Sequence, residues 1–533
     1  MKAAHASPPP LQRCTEESTM TVATHPPLSF RQALLAMLGI SLVLMLSALD
    51  QTVIGNALPS IVAELRGFEL YAWVATGYML ASIVTIPIFG RLGDYYGRKP
   101  FVIVATLIFT LASLACALAT GMLWLVLGRV LQGVGSGMLI GTAFACIPEL
   151  FPDTRQRLRW QMLLSALFSV INAIGPGLGG YLTDAYGWRS VFYINLPLGC
   201  LALFFAWRYL PYYRPLQQAK ISLDWPGALL IALALGSLQL FVEWLGHTSL
   251  MLSAALGLGC VVATGALWRW ERRCSHALLP PALLGLPSMR LLFVLSMAAG
   301  AIMFSLLFYL PLLLQGSYGY SPRDAGLLIT PLALSITLGA IVNSRIVTRL
   351  HNPNLLPLGG FVALLLACLG LAIVGRGASF NTLLGLILLA GLGLGFILLN
   401  LTVFTQTLAE RQFLGIATAL TQSLRLVGGL LGTASMGALV NLLYSANLQR
   451  LFIGQGHAQG LALYADPQVL LHPAAALFEH PRWLNLARDA LAQSVGVGLL
   501  LCAAVGVLAL FILYRLPPVR LNVLPATVAP EKQ

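Results

Sequence analysis

One carboxylate and two guanidinium groups stand in stretches that are otherwise uncharged. Asp50 lies in the run Ala33–Ala57, Arg129 in Met122–Ile147 and Arg425 in Leu414–Leu442. An ionised side chain inside a long apolar run is costly, and such residues are functional by default. A lone carboxylate of this kind can load and release a proton, so Asp50 is the first candidate for proton coupling. The competing reading is a permanently paired structural aspartate. Arg129 is its natural partner. Asp50 lies seven residues before the end of its run and Arg129 seven residues after the start of its own. At about 1.5 Å per residue both are roughly 10 Å deep from the same side. Matching depth permits a pair, which could be a coupling device or a structural salt bridge. Arg425 lies about 17 Å into its run with no acid beside it. It is expected to face a central cavity or to cap a kink near Gly428-Gly429. Gln132, three residues past Arg129, is a second cavity and substrate candidate. Glu243 falls at the end of its run beside Trp244, an interface placement.

Two glycine patterns stand beside these charges. Gly90-Arg91-Leu92-Gly93-Asp94-Tyr95-Tyr96-Gly97-Arg98-Lys99-Pro100 reads as a short loop between two runs. Its glycines permit a tight turn, Asp94 can sit against a helix N-terminus, and Arg98 and Lys99 hold the loop on one side. Gly90, Arg91, Gly93, Asp94, Gly97, Arg98 and Lys99 are therefore candidate gating residues. Gly175-Pro176-Gly177-Leu178-Gly179-Gly180 lies inside another run. There Pro176 removes a backbone hydrogen bond, and Gly175 and Gly179, four apart, let a neighbouring helix approach closely.

The elements that position these residues follow from composition. Of 533 residues 58% are hydrophobic and 9% charged, and mean hydropathy is +0.83. Soluble domains carry about 25% charged residues, so most of this surface must face lipid. Roughly fourteen runs are each long enough to cross a bilayer as a helix. The expected architecture is an all-α integral membrane protein. It has a tail (1–32), a six-helix bundle (33–210), a linker with two extra helices (211–280), a second six-helix bundle (281–515) and a tail (516–533). The second bundle carries a long outer loop (444–491), with an amphipathic surface helix or a plain connector near Trp483–Leu491. The first thirty residues are polar and lack a signal-peptide pattern, so the first run is expected to be an uncleaved anchor. With both termini placed inside, 22 of the 31 Lys and Arg fall in inner segments, as the positive-inside tendency requires. Sorting of charge across the membrane thus accounts for the net charge of +13, and no basic stripe points to nucleic acid. The eight cysteines have no metal or redox spacing. No metal cluster, nucleotide loop or nucleophile with a base argues for an enzyme. The second-half counterpart of Gly90–Asp94, Ser344-Arg345-Ile346-Val347-Thr348, is a weak internal repeat.

The Gly90–Pro100 segment closely resembles the loop between helices two and three of the major facilitator superfamily. Three more stretches agree. Leu49-Asp50-Gln51-Thr52-Val53-Ile54-Gly55-Asn56-Ala57-Leu58-Pro59 looks like the first-helix motif of its drug:proton antiporters. Gly128-Arg129-Val130-Leu131-Gln132-Gly133-Val134-Gly135-Ser136-Gly137 is similar to their fourth-helix motif, and Gly175–Gly180 to the fifth-helix motif. With fourteen spans the resemblance is to the fourteen-spanning drug:proton antiporter family, the EmrB/QacA-like group. It departs at Ile171, where that helix often has another glycine, and at Thr348, where a symmetric second-half charge is missing.

The resemblance implies two six-helix bundles plus two extra helices, and export of lipophilic drugs or dyes by proton antiport through alternating access. It implies no cofactor beyond the proton gradient. The implied partners are membrane lipid, a small-molecule substrate and, in a Gram-negative host, a possible periplasmic adaptor. The implied place is the bacterial cytoplasmic (inner) membrane with cytoplasmic termini. A dedicated metabolite or siderophore exporter is the alternative. Sugar import is disfavoured, because Pro211-Tyr212-Tyr213-Arg214 stands where sugar porters carry a Pro-Glu-Ser-Pro-Arg-type loop. Because Asp50 is the one acid placed well inside a run, the sequence predicts exchange of one proton for one monovalent cation.

Overall fold

The computed structural model describes residues 30–519 apart from 151–159, 161–170, 172–173, 213–223, 245–249, 275–284, 348–349, 351, 410–413, 455–460, 462, 466 and 472–480. The described residues form helices and no strands. In lipid each backbone polar group must be satisfied within its own segment, and long helices meet that need. They are α1 (Phe30–Leu65), α2 (Tyr71–Tyr96), α3 (Arg98–Ala117) and α4 (Met122–Leu150). Then come α5 (helical over 174–186), α6 (Ser190–Tyr209), α7 (Trp225–Trp244) and α8 (Leu250–Glu271). The rest are α9 (Pro287–Leu312, continued by a π turn Leu313–Ser317), α10 (Pro322–Ile346), α11 (Leu355–Ile373), α12 (Phe380–Leu408), α13 (Leu414–Gly454) and α14 (Pro481–Tyr514). Among the described residues, eleven helices are long and apolar enough to cross a membrane, and Trp225–Phe241 is a shorter apolar helix. The first half of the α5 run lies outside the described residues.

Packing divides the chain into two bundles. α2 lies against α4, α3 against α4 and α6, and α1 against α6; eight helices later α10 lies against α12, α11 against α12 and α14, and α9 against α14. Glycines fix the repeated contact. A Cβ on Gly133 or Gly137 of α4 would strike the Tyr78 or Ser82 carbonyl of α2, at 2.3 and 2.7 Å. One on Gly391 or Gly395 of α12 would strike the Leu332 or Ile336 carbonyl of α10, at 2.4 and 2.3 Å. Each pair, four residues apart, aligns with two carbonyls also four apart, so two backbones lie in contact. The α7–α8 hairpin joins the bundles, with α7 against both α2 and α13.

Because the helices alternate in direction, α1, α9 and α13 start at one end of the molecule, here the terminal face, and α2, α10 and α14 at the opposite, distal face. Near the distal face the bundles are pinned together. The Tyr71 hydroxyl donates to the Phe308 carbonyl (2.8 Å), and Gln315 Nε2 to the Asn56 carbonyl (2.9 Å). The Tyr71 and Tyr309 rings lie 5.5 Å apart. Asn56 Nδ2 donates to the Pro176 carbonyl (2.6 Å), the same carbonyl that would meet a Cβ on Gly326 at 2.8 Å. A Cβ on Gly180 would meet the Pro322 carbonyl at 2.3 Å, so α5 and α10 also touch backbone to backbone.

Two segments differ from expectation. Gly90–Tyr96 is no loop but the last turns of α2, and the turn into α3 is confined to Gly97 (φ 82°). A single left-handed glycine reverses the chain there without a connector, and Pro100 is tolerated in the first turn of α3. The outer loop is also shorter than the expected 444–491. α13 continues to Gly454, and Trp483–Leu491 forms the start of α14 rather than a separate surface helix. There the run-based boundary stopped where polar residues begin, whereas a helix can continue past the hydrocarbon.

Candidate functional site

Asp50 lies midway along α1, 2% exposed, and both its oxygens are occupied. Arg129 Nη1 of α4 donates to Oδ2 at 2.5 Å. Oδ1 accepts from Gln132 Nε2 at 2.7 Å and from Asn195 Nδ2 of α6 at 3.1 Å. Arg129 also donates through Nη1 to Gln132 Oε1 (2.8 Å) and through Nε to the Val74 carbonyl of α2 (3.2 Å). Its guanidinium lies 4.3 Å over the Tyr78 ring, a cation–π contact. Ser113 of α3 completes the cluster. Its Oγ accepts from Asn195 Nδ2 at 3.0 Å and donates to the Phe192 carbonyl at 3.0 Å. Five helices thus converge on one ion pair.

A buried pair holds its two charges only when hydrogen bonds satisfy the remaining lone pairs and protons. Here three donors meet the carboxylate and three acceptors meet the guanidinium. A proton on Asp50 Oδ2 would weaken its hold on Arg129 Nη1 and leave the guanidinium with the Gln132 Oε1 and Val74 carbonyl acceptors. A polar chain leads away from the pair. The Tyr78 hydroxyl lies 3.4 Å from Ser47 Oγ and accepts from Gln51 Nε2 at 3.4 Å, while Ser47 and Ser136 meet at 2.5 Å. Gln51 is half-buried, the least enclosed member of this chain.

The structure brings Asp50 and Arg129 together at the matched depth. Gln132, expected to line a cavity, is 0% exposed and faces the ion pair instead. The amide is drawn inward because it can donate to Asp50 and accept from Arg129 at once. Arg425 is half-buried on α13, far along the chain from this network. Gly175 and Gly179 press on α1 at Thr52 and Val53, while Gly180 presses on α10. In the α2–α3 turn a Cβ on Gly93 would meet Arg98 at 3.2 Å and Thr142 at 3.4 Å. Arg98 and Lys99 open α3. The backbone at Gly90, Arg91 and Asp94 is helical, but the side chains of Arg91 and Asp94, and hence any contact of Asp94 with a helix N-terminus, lie outside the described residues. Sequence reasoning missed Asn195, Ser113 and Tyr78. Asn195 carried a faint signal, an amide inside an apolar run.

Among the described residues two bundles of long apolar helices meet, with a buried acid–base pair in the first, as in a membrane transporter, and the chain belongs to the Major Facilitator Superfamily, whose family model matches residues 40–433. Among its relatives, "Multidrug resistance protein 3" of Bacillus subtilis (strain 168) is 30% identical over 467 residues, covering 86% of this chain and 90% of that protein. "Multidrug transporter protein MdtP" of the same organism is 30% identical over 412 residues, covering 76% and 74%. Among solved structures the fold is similar to that of a bacterial homolog to the human lysosomal transporter Spinster, inward-facing and occupied. That match has a TM-score of 0.62 and 16% identity, and covers 89% of this chain and 96% of the other.

Proposed function

We propose that this protein is a proton-coupled antiporter that exports lipophilic drug-like small molecules by alternating access between its two bundles. The observation that carries the reading is the enclosed Asp50–Arg129 pair with Gln132 and Asn195 around it. Protonation of Asp50 frees Arg129, and the freed guanidinium pulls on Gln132 and on the Val74 backbone of α2, the helix that lies against α13. A proton event inside one bundle is thereby tied to the seam between the bundles. Support for export of drug-like molecules comes from relatives of about 30% identity whose names include multidrug resistance and multidrug transport.

In this reading the fold has fourteen spans, and it sits in a bacterial cytoplasmic membrane with both termini inside. Gly90–Lys99 and Gly175–Gly180 act as gating and sealing elements. The test is a drug-susceptibility panel in an efflux-deficient host, followed by efflux from liposomes under an imposed pH gradient. Asp50→Asn keeps expression and membrane insertion and loses uphill efflux. Undiminished gradient-driven efflux by a well-folded Asp50→Asn protein would sink the proposal.

A further inference from the structure

Arg425 is the charge that this mechanism leaves over. It sits about 17 Å into α13 from Leu414. It shares a helix face with Gly429, Gly432 and Met436, four, seven and eleven residues on. That face is turned inward: Gly429 packs on Phe304 of α9, Gly432 on Ala301 of α9, and Met436 on Gly498 of α14. The stem of Arg425 crosses α9 at Gly300, where a Cβ would lie 3.0 Å from its Cγ. α9 in turn lies against α1 of the other bundle. The stem of Arg425 therefore lies against α9, a helix of its bundle that meets α1 of the other, on the terminal side of the contacts that pin the distal face.

No hydrogen bond or ion pair joins the Arg425 side chain to the described residues. Three acids of the described helices are already paired. Asp50 is held by Arg129, Glu64 by Arg189 and Trp188, and Asp489 by Arg376. One turn toward the terminal face, Gln422 has an amide oxygen that is buried without a hydrogen-bond partner. A half-buried guanidinium without a counter-ion among the described residues, three residues from an idle amide oxygen on the same helix, is an incomplete site.

Resting on the exporter reading above, we infer that Arg425, with Gln422 beside it, is a subsite for the anionic group of a lipophilic substrate. The substrate class is an aromatic or aliphatic molecule carrying one carboxylate, sulfonate or acidic phenolate. The guanidinium supplies a charge-assisted hydrogen bond to that group, and the Gln422 oxygen accepts from a neighbouring donor on the ligand. This proposal departs from the expectation of a monovalent cation. That expectation needed Asp50 as a counter-ion, and Asp50 is enclosed and already triply bonded.

The test compares two xanthene dyes of nearly the same shape and opposite charge: fluorescein methyl ester, a monoanion, and rhodamine 123, a monocation. Fluorescence polarisation is read on purified protein in nanodiscs, with empty nanodiscs subtracted. Wild type binds the anion at least tenfold more tightly than the cation. Arg425→Gln removes at least tenfold of that preference, Arg425→Lys keeps part of it, and Gln422→Ala weakens the anion a few-fold. A wild type that binds neither dye, binds both alike or favours the cation overturns the subsite, whatever the variants do; so does a preference retained by folded Arg425→Gln. Binding needs no gradient. A wild type that binds the anion but extrudes it equally with and without a pH gradient would refute proton coupling and leave the subsite standing.

Discussion

The two bundles repeat each other's packing and not each other's chemistry. The glycine pair Gly133/Gly137 seats α4 on α2 as Gly391/Gly395 seats α12 on α10. Yet four residues before Gly133 stands Arg129, and four residues before Gly391 stands Ile387; one residue before each glycine stand Gln132 and Ala390. All four are buried. The second bundle thus fills with hydrocarbon the place where the first holds an ion pair. Across its α10–α12 contact the buried polar pair is neutral: Asn400 Nδ2 of α12 donates to Asn343 Oδ1 of α10 at 3.1 Å. The arginine deep in its helices, Arg425, stands on another helix and has no hydrogen bond or ion pair among the described residues. Duplicated backbone geometry therefore constrains glycines strongly and leaves the remaining positions free to divide the work.

The contrast is broken most directly by removing each arginine. Arg129→Leu strands a buried carboxylate and should lower stability by about 3–5 kcal/mol. Arg425→Gln removes a charge that no described group offsets and should leave stability within about 1 kcal/mol of wild type or raise it. Thermal unfolding in detergent measures both, and equal losses would erase the distinction between the bundles. Next in size, Asn195→Ala takes one donor from ionised Asp50, a hydrogen bond to a charged group worth about 1.5–3 kcal/mol. It should also shift the pH profile of efflux, a readout that a purely structural asparagine would not move. The packing repeat is sharpened by Gly133→Ala and Gly391→Ala. Each forces two touching backbones apart at a cost of about 1–3 kcal/mol, and the two losses should match. A loss at one position alone would show the repeat to be superficial. Smallest is Asn400→Ala, which removes a neutral amide contact worth about 1 kcal/mol and should leave the pH profile unchanged.

Much of this was legible from residue types. Uncharged runs about twenty residues long dictate membrane helices, and Asp50 and Arg129 stand out because their surroundings are apolar. Their partnership followed from equal depth, a quantity that sequence spacing supplies. Rotation about the helix axis is not supplied the same way, so Gln132 was expected in a cavity when it turns to the ion pair. Asn195 and Ser113 were missed because their helices contribute one polar atom each, and only the packing of α1, α3, α4 and α6 brings those atoms to one point. The helical end of α2 was read as a loop because glycine is a helix breaker in isolation. Against a close-packed neighbour it is the residue that lets the helix fit. The glycine pairs of α4 and α12 were both present in the sequence, but a spacing of four is common in apolar helices until their carbonyl partners are known.

The backbone contact of α5 with α10 has a mechanical consequence. Gly180 and Gly326 lack the atom that would hold the two helices apart, so their backbones are already at van der Waals distance and cannot close further. A joint that cannot be compressed works as a fulcrum. When a stiff arm turns about a fixed point, each part travels in proportion to its distance from that point. Asn56 and Pro176, beside the fulcrum, would barely move, whereas the terminal ends of α2 and α13 would sweep widest. α13 has 41 residues, a rod of about 60 Å at about 1.5 Å per residue, and the arm is the part of it on the terminal side of the fulcrum. The stroke of such a lever is set by helix length, so shortening α13 by a turn and weakening its contacts are different operations on the machine.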